Sequence, residues 1–152
     1  MKKIAVNDLS SFLNHVAEEK ESHKADFIFR GQRTEQPLRP RLARIARKGK
    51  LLNLEKLIFE EFRRTSRALA EIDPKADWDI LSLAQHHGLP TRLLDWTYSA
   101  LAAIWFAVEQ EPEEHEGELQ DAVVFLLKTR PGDFINKESR EKPFESPNTR
   151  IL

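Results

Sequence analysis

Residues 98–108, "YSALAAIWFAV", constrain the fold more than any other part of the chain. They carry no charge, and a helix over this segment is apolar almost all round. A helix without a polar face has to be covered on several sides, so we predict that it is central in the core. Trp105 and Phe106 are then core residues. Thr97 precedes the segment directly and is of a type that caps helix N-termini.

The remaining hydrophobic pattern predicts further helices and at least two strands. Caps and apolar spacing indicate helices over residues 8–20, capped by Asp8 or Ser10, over 53–71, capped by Asn53, and over 77–86, capped by Asp77. Gly88 stands where a left-handed residue is expected after the last of these, and residues 41–50 are expected to form a short basic helix. "DFIFR" reads as a short strand ended by Gly31, and "AVVFLL", after an acidic loop, reads as a buried strand. We therefore expect an α+β fold, a helix-rich single domain over residues 1–152 with a small sheet.

Composition excludes several classes of protein. The chain has no cysteine, which rules out disulfides and thiolate metal ligands and favours a reducing compartment. No apolar run reaches the roughly 20 residues of a membrane span, and the N-terminus lacks the apolar region of a signal peptide. We expect a cytoplasmic protein that does not enter a membrane. Glycine-rich phosphate loops and the GxSxG nucleophile motif are absent.

Charge is unevenly distributed, although the formal net charge is only −1. Residues 30–50 carry eight basic side chains against the single acid Glu35, and residues 109–121 carry seven acids and neither lysine nor arginine. A solvated surface is one interpretation. Contact of the basic stretch that begins at Arg39 and ends at Lys50 with nucleic-acid phosphates is the other.

Two arginines are candidates for chemistry. Arg30 stands at a strand end beside Gly31, where a guanidinium can hold a phosphate or carboxylate in a bidentate way. Arg92 follows a Pro-Thr turn and is expected to be half-buried. Each has a structural alternative, an ion pair with Asp95. Neighbouring His86 and His87 point about 100° apart on a helix and are poorly placed to share a metal ion.

The motifs "FRGQ" (29–32) and "LAQHHGLPTRLLDWTYSALAAIWFA" (83–107), with a following strand like "AVVFLL", resemble the FRG domain. This mostly bacterial family is named for its Phe/Tyr-Arg-Gly motif, and the resemblance covers about residues 27–127. The family pattern usually continues into an "RI-x-x-Q-x-G-x-F" element. Because the chain reads "SPNTRIL" there and stops at Leu152, the domain is expected to be incomplete at its C-terminus.

A more distant resemblance is to arginine-type ADP-ribosyltransferases, in which an aromatic-Arg-Gly strand holds the phosphates of NAD. It implies that Arg30 contacts a phosphate and that Thr97 and Ser99 stand where those enzymes carry hydroxyls. A catalytic glutamate has no match, so whether the chain is an enzyme stays open. The resemblance implies NAD as a substrate. The alternative is a non-enzymatic nucleic-acid or protein binding module in a phage-defence or toxin context, or a remnant that folds only with a partner.

We predict that Arg30 and the turn from Arg92 to Trp96 converge on one polar cleft for a phosphate-bearing small molecule. Loops held by a rigid helix are a common place for such a site. No catalytic residue and no metal ligand is assigned. The predicted ligand-binding residues are Arg30, Gly31, Gln32, Arg92, Asp95, Trp96 and Thr97.

Overall fold

The computed structural model describes residues 2–45, 51–66, 76–135, 142–145 and 151. Over these residues the fold is α+β, as predicted. The helices and strands, in chain order, are α1 (Leu9–His23), β1 (Phe27–Gln32), α2 (Arg41–Ile45), α3 (Leu51–Ser66), α4 (Asp77–His86), α5 (Ala100–Val108), β2 (Glu114–His115), β3 (Glu118–Leu119) and β4 (Val123–Lys128). Within the described ranges, no helix combines the length and the hydrophobicity needed to cross a membrane.

The chain forms two compact units. The first unit comprises Met1–Gln36 and Asp95–Pro131, and the second comprises Pro37–Leu94 and Gly132–Leu152. The first therefore contains α1, α5 and all four strands, and the second contains α2, α3 and α4.

The sheet of the first unit is built on β1. This strand pairs in antiparallel fashion with β4, so that Phe29 lies opposite Leu126 and Arg30 opposite Phe125. At its other edge, Phe29 exchanges two backbone hydrogen bonds with Thr97, of 2.7 and 2.8 Å. The strand was expected to end at Gly31, but it continues through the glycine to Gln32. Because Gly31 pairs with Val124, the glycine lies inside the ladder.

One face of β1 forms the core of the first unit. Side chains alternate across a strand, so Phe27 and Phe29 share a face, and both are buried. Phe12 and Val16 from α1 and Ala103 from α5 complete the cluster. The apolar period of α1 predicted this helix, and the predicted cap is also correct: the Asp8 carboxylate accepts the backbone N–H of Ser11 at 2.7 Å.

The predicted position of α5 at the centre of the core is wrong. Only Ala103 and Ala107 are buried, while Trp105 is 63% and Phe106 57% exposed. The physical reason is Gly31, since a Cβ at this residue would overlap the carbonyl oxygen of Ala103 and lie 2.8 Å from the Ala107 nitrogen. The helix therefore lies directly against the strand with its smallest side chains, Ile104 packs at the edge of the core, and Trp105 and Phe106 face outward.

The start of α5 also differs from the prediction. Ser99, not Thr97, is the N-cap, and its hydroxyl oxygen accepts the N–H of Ala102 at 3.2 Å. Thr97 is held in the β-bridge instead, and its hydroxyl oxygen accepts the N–H of Ser99 at 3.1 Å. A residue whose backbone is paired to a strand cannot at the same time start a helix.

Two expectations for the C-terminal half of the first unit need correction. The acidic segment contains the short hairpin β2–β3, whose turn at Glu116 and Gly117 has φ values of +53° and +84°. Two positive values of φ are typical of a type I′ hairpin turn. In addition, β4 is partly exposed along its length, although its β-branched and aromatic composition predicted a buried strand.

The second unit packs α3 against α4. Phe59, Ile80 and Leu81 are its buried cluster, with Phe144 against Phe59 in an edge-on contact. Helix α4 begins at the predicted Asp77, although that residue is the first helical one and not the cap, and Gly88 follows with φ +78° as expected. The predicted ends of α2 and α3 fall in residues 46–50 and 67–75, which lie outside the described residues.

Candidate functional site

Arg30 projects from the sheet face opposite the α1–α5 core. Since its neighbours Phe29 and Gly31 face that core, alternation turns the guanidinium to the other side. There its NH1 donates a 2.6 Å hydrogen bond to the backbone carbonyl of Asp95. Together with the bridge from Phe29 to Thr97, this bond holds the segment Asp95–Trp96–Thr97 beside β1.

We call this arrangement the Arg30 corner, defined as Arg30 with Asp95, Trp96 and Thr97. Arg30 and Trp96 are partly buried, whereas Asp95 is exposed. The antiparallel register places Trp96 opposite Arg30 at one edge of β1 and Phe125 opposite it at the other. The arginine therefore stands between two aromatic positions on one face of the sheet.

The other two predicted residues of β1 have structural roles that the sequence did not reveal. Gly31 permits the close approach of β1 to α5, as described above. Gln32 lies on the same strand face as Arg30, and its Nε2 donates to the carbonyl of Gln36 at 3.0 Å, which closes the loop after β1. Their contact with a ligand stays a prediction.

Arg92 belongs to the second unit, and its partner there is Glu55, not the expected Asp95. Arg92 Nε donates to Glu55 Oε2 at 2.7 Å, its NH2 lies 2.5 Å from the same oxygen, and its backbone N–H donates to Oε1 at 2.8 Å. Its NH1 donates to the carbonyl of Pro143 at 2.6 Å, and the guanidinium stacks 4.9 Å from the ring centroid of Phe144.

The environment of this ion pair favours a structural role. Glu55 is only 1% exposed, and the pair borders a pocket of about 140 Å³ whose other lining residues are apolar. Pockets for drug-sized ligands measure roughly 300–1,000 Å³, so this pocket is smaller than a typical ligand site. The convergence of Arg92 with Arg30 on one cleft stays a prediction, because the two residues belong to different units.

Glu55 is a residue that sequence reasoning missed, although a signal for it exists. It precedes Phe59 by four residues and Phe62 by seven, so it occupies the buried stripe of α3. A carboxylate in phase with a helix's apolar face needs a cationic partner. Arg92, which the sequence marked as a half-buried arginine, is that partner.

The two adjacent histidines and the described arginines of the basic stretch, Arg39, Arg41 and Arg44, are all exposed. The rings of His86 and His87 are 5.6 Å apart and both residues are exposed. The described residues hold no group of three or more side chains suited to a metal ion. In the basic stretch, Arg41 NH1 donates to the carbonyl of Gly88 at 2.6 Å, while Arg39 and Arg44 are exposed. Residues 46–50 lie outside the described part, and nucleic-acid binding stays a prediction.

Comparison with known proteins identifies one family. The sequence pattern of the FRG domain matches residues 25–116, more than half of the chain. No curated protein and no solved structure shows significant similarity to it. The matched region contains β1 with its Phe-Arg-Gly motif and the whole of α5, the two elements that Gly31 brings into contact. The chain belongs to the FRG domain family.

Proposed function

We propose that the Arg30 corner binds a phosphate-bearing small molecule, with NAD as the first candidate. The observation that carries the proposal is the 2.6 Å bond from Arg30 NH1 to the Asp95 carbonyl, which joins residues 65 positions apart. It brings the strand arginine and the Asp95–Thr97 segment together, as a site composed of both requires.

The position of Arg30 suits recognition of an anion. The bond from its NH1 to the Asp95 carbonyl fixes the orientation of the guanidinium. A planar guanidinium fixed in advance loses less conformational entropy when two of its N–H groups bind a phosphate. The side chain is also partly buried, and electrostatic attraction is stronger there than in open water.

The aromatic residues on either side of Arg30 favour a ligand that carries a planar ring as well as a phosphate. Trp96 and Phe125 occupy the backbone positions opposite Arg30, one at each edge of β1. Stacking of a planar heterocycle on an aromatic side chain contributes about 1–3 kcal/mol per ring in nucleic-acid complexes. A ligand that combines phosphates with a flat base matches this arrangement better than inorganic phosphate does.

The choice of NAD rests on the distant resemblance to arginine-type ADP-ribosyltransferases. In support of it, the hydroxyl-bearing segment with Thr97 and Ser99 lies next to β1 and leads directly into a helix. Each of these hydroxyl oxygens accepts a backbone N–H, and each keeps its own O–H as a donor for a ligand. The proposal concerns binding, since the described residues offer no match for a catalytic glutamate.

Isothermal titration with NAD, ADP-ribose and nicotinamide tests the proposal. We expect NAD and ADP-ribose to bind, and Arg30→Gln to weaken both at least about tenfold, the loss of a charged hydrogen-bonded contact. Arg30→Lys keeps the positive charge but not the two-pronged guanidinium, so its affinity should lie between those of the wild type and Arg30→Gln. Arg44→Gln removes an exposed arginine of the second unit and is the matched control.

Two outcomes would contradict the proposal: no heat of binding for NAD at millimolar concentration, or equal affinity in the wild type and Arg30→Gln. A parallel incubation with NAD labelled in the nicotinamide ring separates binding from turnover. Release of labelled nicotinamide above the rate without protein would show that the bound NAD is cleaved.

A further inference from the structure

Helix α5 exposes a continuous apolar line on the side that faces away from the sheet. Leu101, Trp105 and Val108 are 54%, 63% and 59% exposed, and Tyr98, just before the helix, is 65% exposed. The spacing of four and three residues places Leu101, Trp105 and Val108 along one helix face, and Tyr98 lies just before its start. We call these four residues the α5 stripe. Phe106, 57% exposed, lies about 100° around the helix from Trp105, outside the stripe.

Burial of the opposite face shows that the outward orientation of the stripe is built into the fold. Ala103 and Ala107 are fixed against Gly31 of β1, so the helix cannot rotate its large side chains inward without moving these alanines away from the strand. An exposed apolar patch on a helix whose rotation is fixed is typical of a protein-binding surface.

The segment that follows the stripe in the sequence is acidic. Residues 93–127 contain no lysine or arginine. Within them, α5 is followed directly by a set of exposed carboxylates, namely Glu109, Glu111, Glu113, Glu114, Glu116, Glu118 and Asp121. Of this set, Glu113 is paired with Arg33.

The apolar stripe and the acidic residues that follow it limit the kinds of partner that can bind there. Nucleic acid and anionic membranes are polyanions, and the acidic flank repels them. A second copy of the chain that met α5 with the same segment would bring no lysine or arginine to these carboxylates. A basic amphipathic helix supplies both an apolar face for the stripe and positive charges for the flank.

We propose that the α5 stripe and its acidic flank form the docking site for a basic amphipathic helix of a partner protein. The anchor is Trp105, because tryptophan is enriched among residues that dominate binding energy. The flanking carboxylates select for lysine and arginine on the partner and speed association at low salt.

The probe is a fluorescein-labelled synthetic helix with leucines at helical spacing and lysines on its polar face, followed by fluorescence anisotropy. A matched peptide carries glutamate in place of lysine. We expect the lysine peptide to bind at least about tenfold more tightly than the glutamate peptide. Trp105→Ser should weaken its binding by a similar factor. Reversal of two flank charges, in Glu109→Lys with Glu111→Lys, should weaken it and flatten its dependence on NaCl.

Leu57→Ser is the control, since Leu57 is a 69% exposed apolar residue on α3 in the second unit and should not affect binding. The proposal fails if Trp105→Ser and Leu57→Ser bind the lysine peptide equally, or if the glutamate peptide binds as well as the lysine peptide. It is also overturned if the wild type forms a dimer in sedimentation equilibrium that Trp105→Ser abolishes, because a second copy would then cover the stripe.

Discussion

Replacing Arg92 with alanine tests whether this arginine holds the second unit together. The substitution removes two contacts to Glu55 Oε2, at 2.7 and 2.5 Å, and the bond to the Pro143 carbonyl at 2.6 Å. Glu55 is 1% exposed and, among the described residues, would keep only the backbone N–H at position 92. Breaking a buried ion pair by removing one partner costs about 3–5 kcal/mol.

Urea denaturation followed by circular dichroism measures this loss as a free energy of unfolding, and thermal denaturation measures it as a change in Tm. For a chain of this length, each kcal/mol lowers Tm by about 2–4 °C, so Arg92→Ala should lower it by about 6–20 °C. Arg63→Ala is the matched control, because Arg63 lies 3.3 Å from Asp77 in a pair whose side chains are 38% and 26% exposed. Such a pair contributes about 0–1 kcal/mol.

A second variant separates the ion pair from the rest of the site. Glu55→Met with Arg92→Met removes both charges, and this double change should cost less than the sum of the two single changes. It still leaves the Pro143 carbonyl without its donor, so some loss remains. A loss below about 1 kcal/mol for Arg92→Ala would refute the structural role. Ligand binding would then be the better explanation for this arginine.

Three further predictions concern Gly31, Trp105 and Asp8 of the first unit. Gly31→Ala should destabilise by at least about 1–3 kcal/mol because its Cβ overlaps the Ala103 backbone, whereas Gly132→Ala, with nothing within 4 Å, should change the unfolding free energy by less than about 1 kcal/mol; equal losses would contradict the close packing. Trp105→Ala should change stability by less than about 0.5 kcal/mol in the same denaturation assay, and a loss of several kcal/mol would mean that α5 is a core helix after all. The backbone N–H of Ser11, bonded to the Asp8 carboxylate, holds the pKa of Asp8 below its ordinary value of 3.8, so its contribution to α1 is present above that value and lost as pH falls through the lowered pKa. Titration of the Asp8 carboxyl by NMR checks the direction, and a pKa above 3.8 would contradict it.

The parts of the fold that the sequence predicts correctly depend on local chemistry. Asp8 caps α1 because a short side-chain acceptor three residues before a backbone N–H satisfies it wherever the helix lies. Gly88 takes a positive φ after α4 for an equally local reason. The "FRGQ" and "LAQHHGLP" motifs identify the family, because they are specific strings that do not depend on packing.

The errors concern features that only tertiary contacts decide. The apolar composition of α5 predicts burial but not which face is buried, and the approach of β1 at Gly31 selects the alanine face. Likewise, the sequence marks Arg92 as needing an acid, and proximity in the chain favoured Asp95. Glu55, 37 residues away, is the actual partner because the packing of the second unit places it there.

The central claim is that the Arg30 corner binds a phosphate-bearing ligand, and a ¹H–¹⁵N NMR titration of the labelled chain with NAD tests it most directly. The account predicts saturable shifts of the backbone amides of Arg30 and Thr97 and of the Trp96 indole, and the loss of these shifts in Arg30→Gln. An unchanged spectrum at millimolar NAD would contradict it, as would shifts confined to the residues around Glu55 and Arg92.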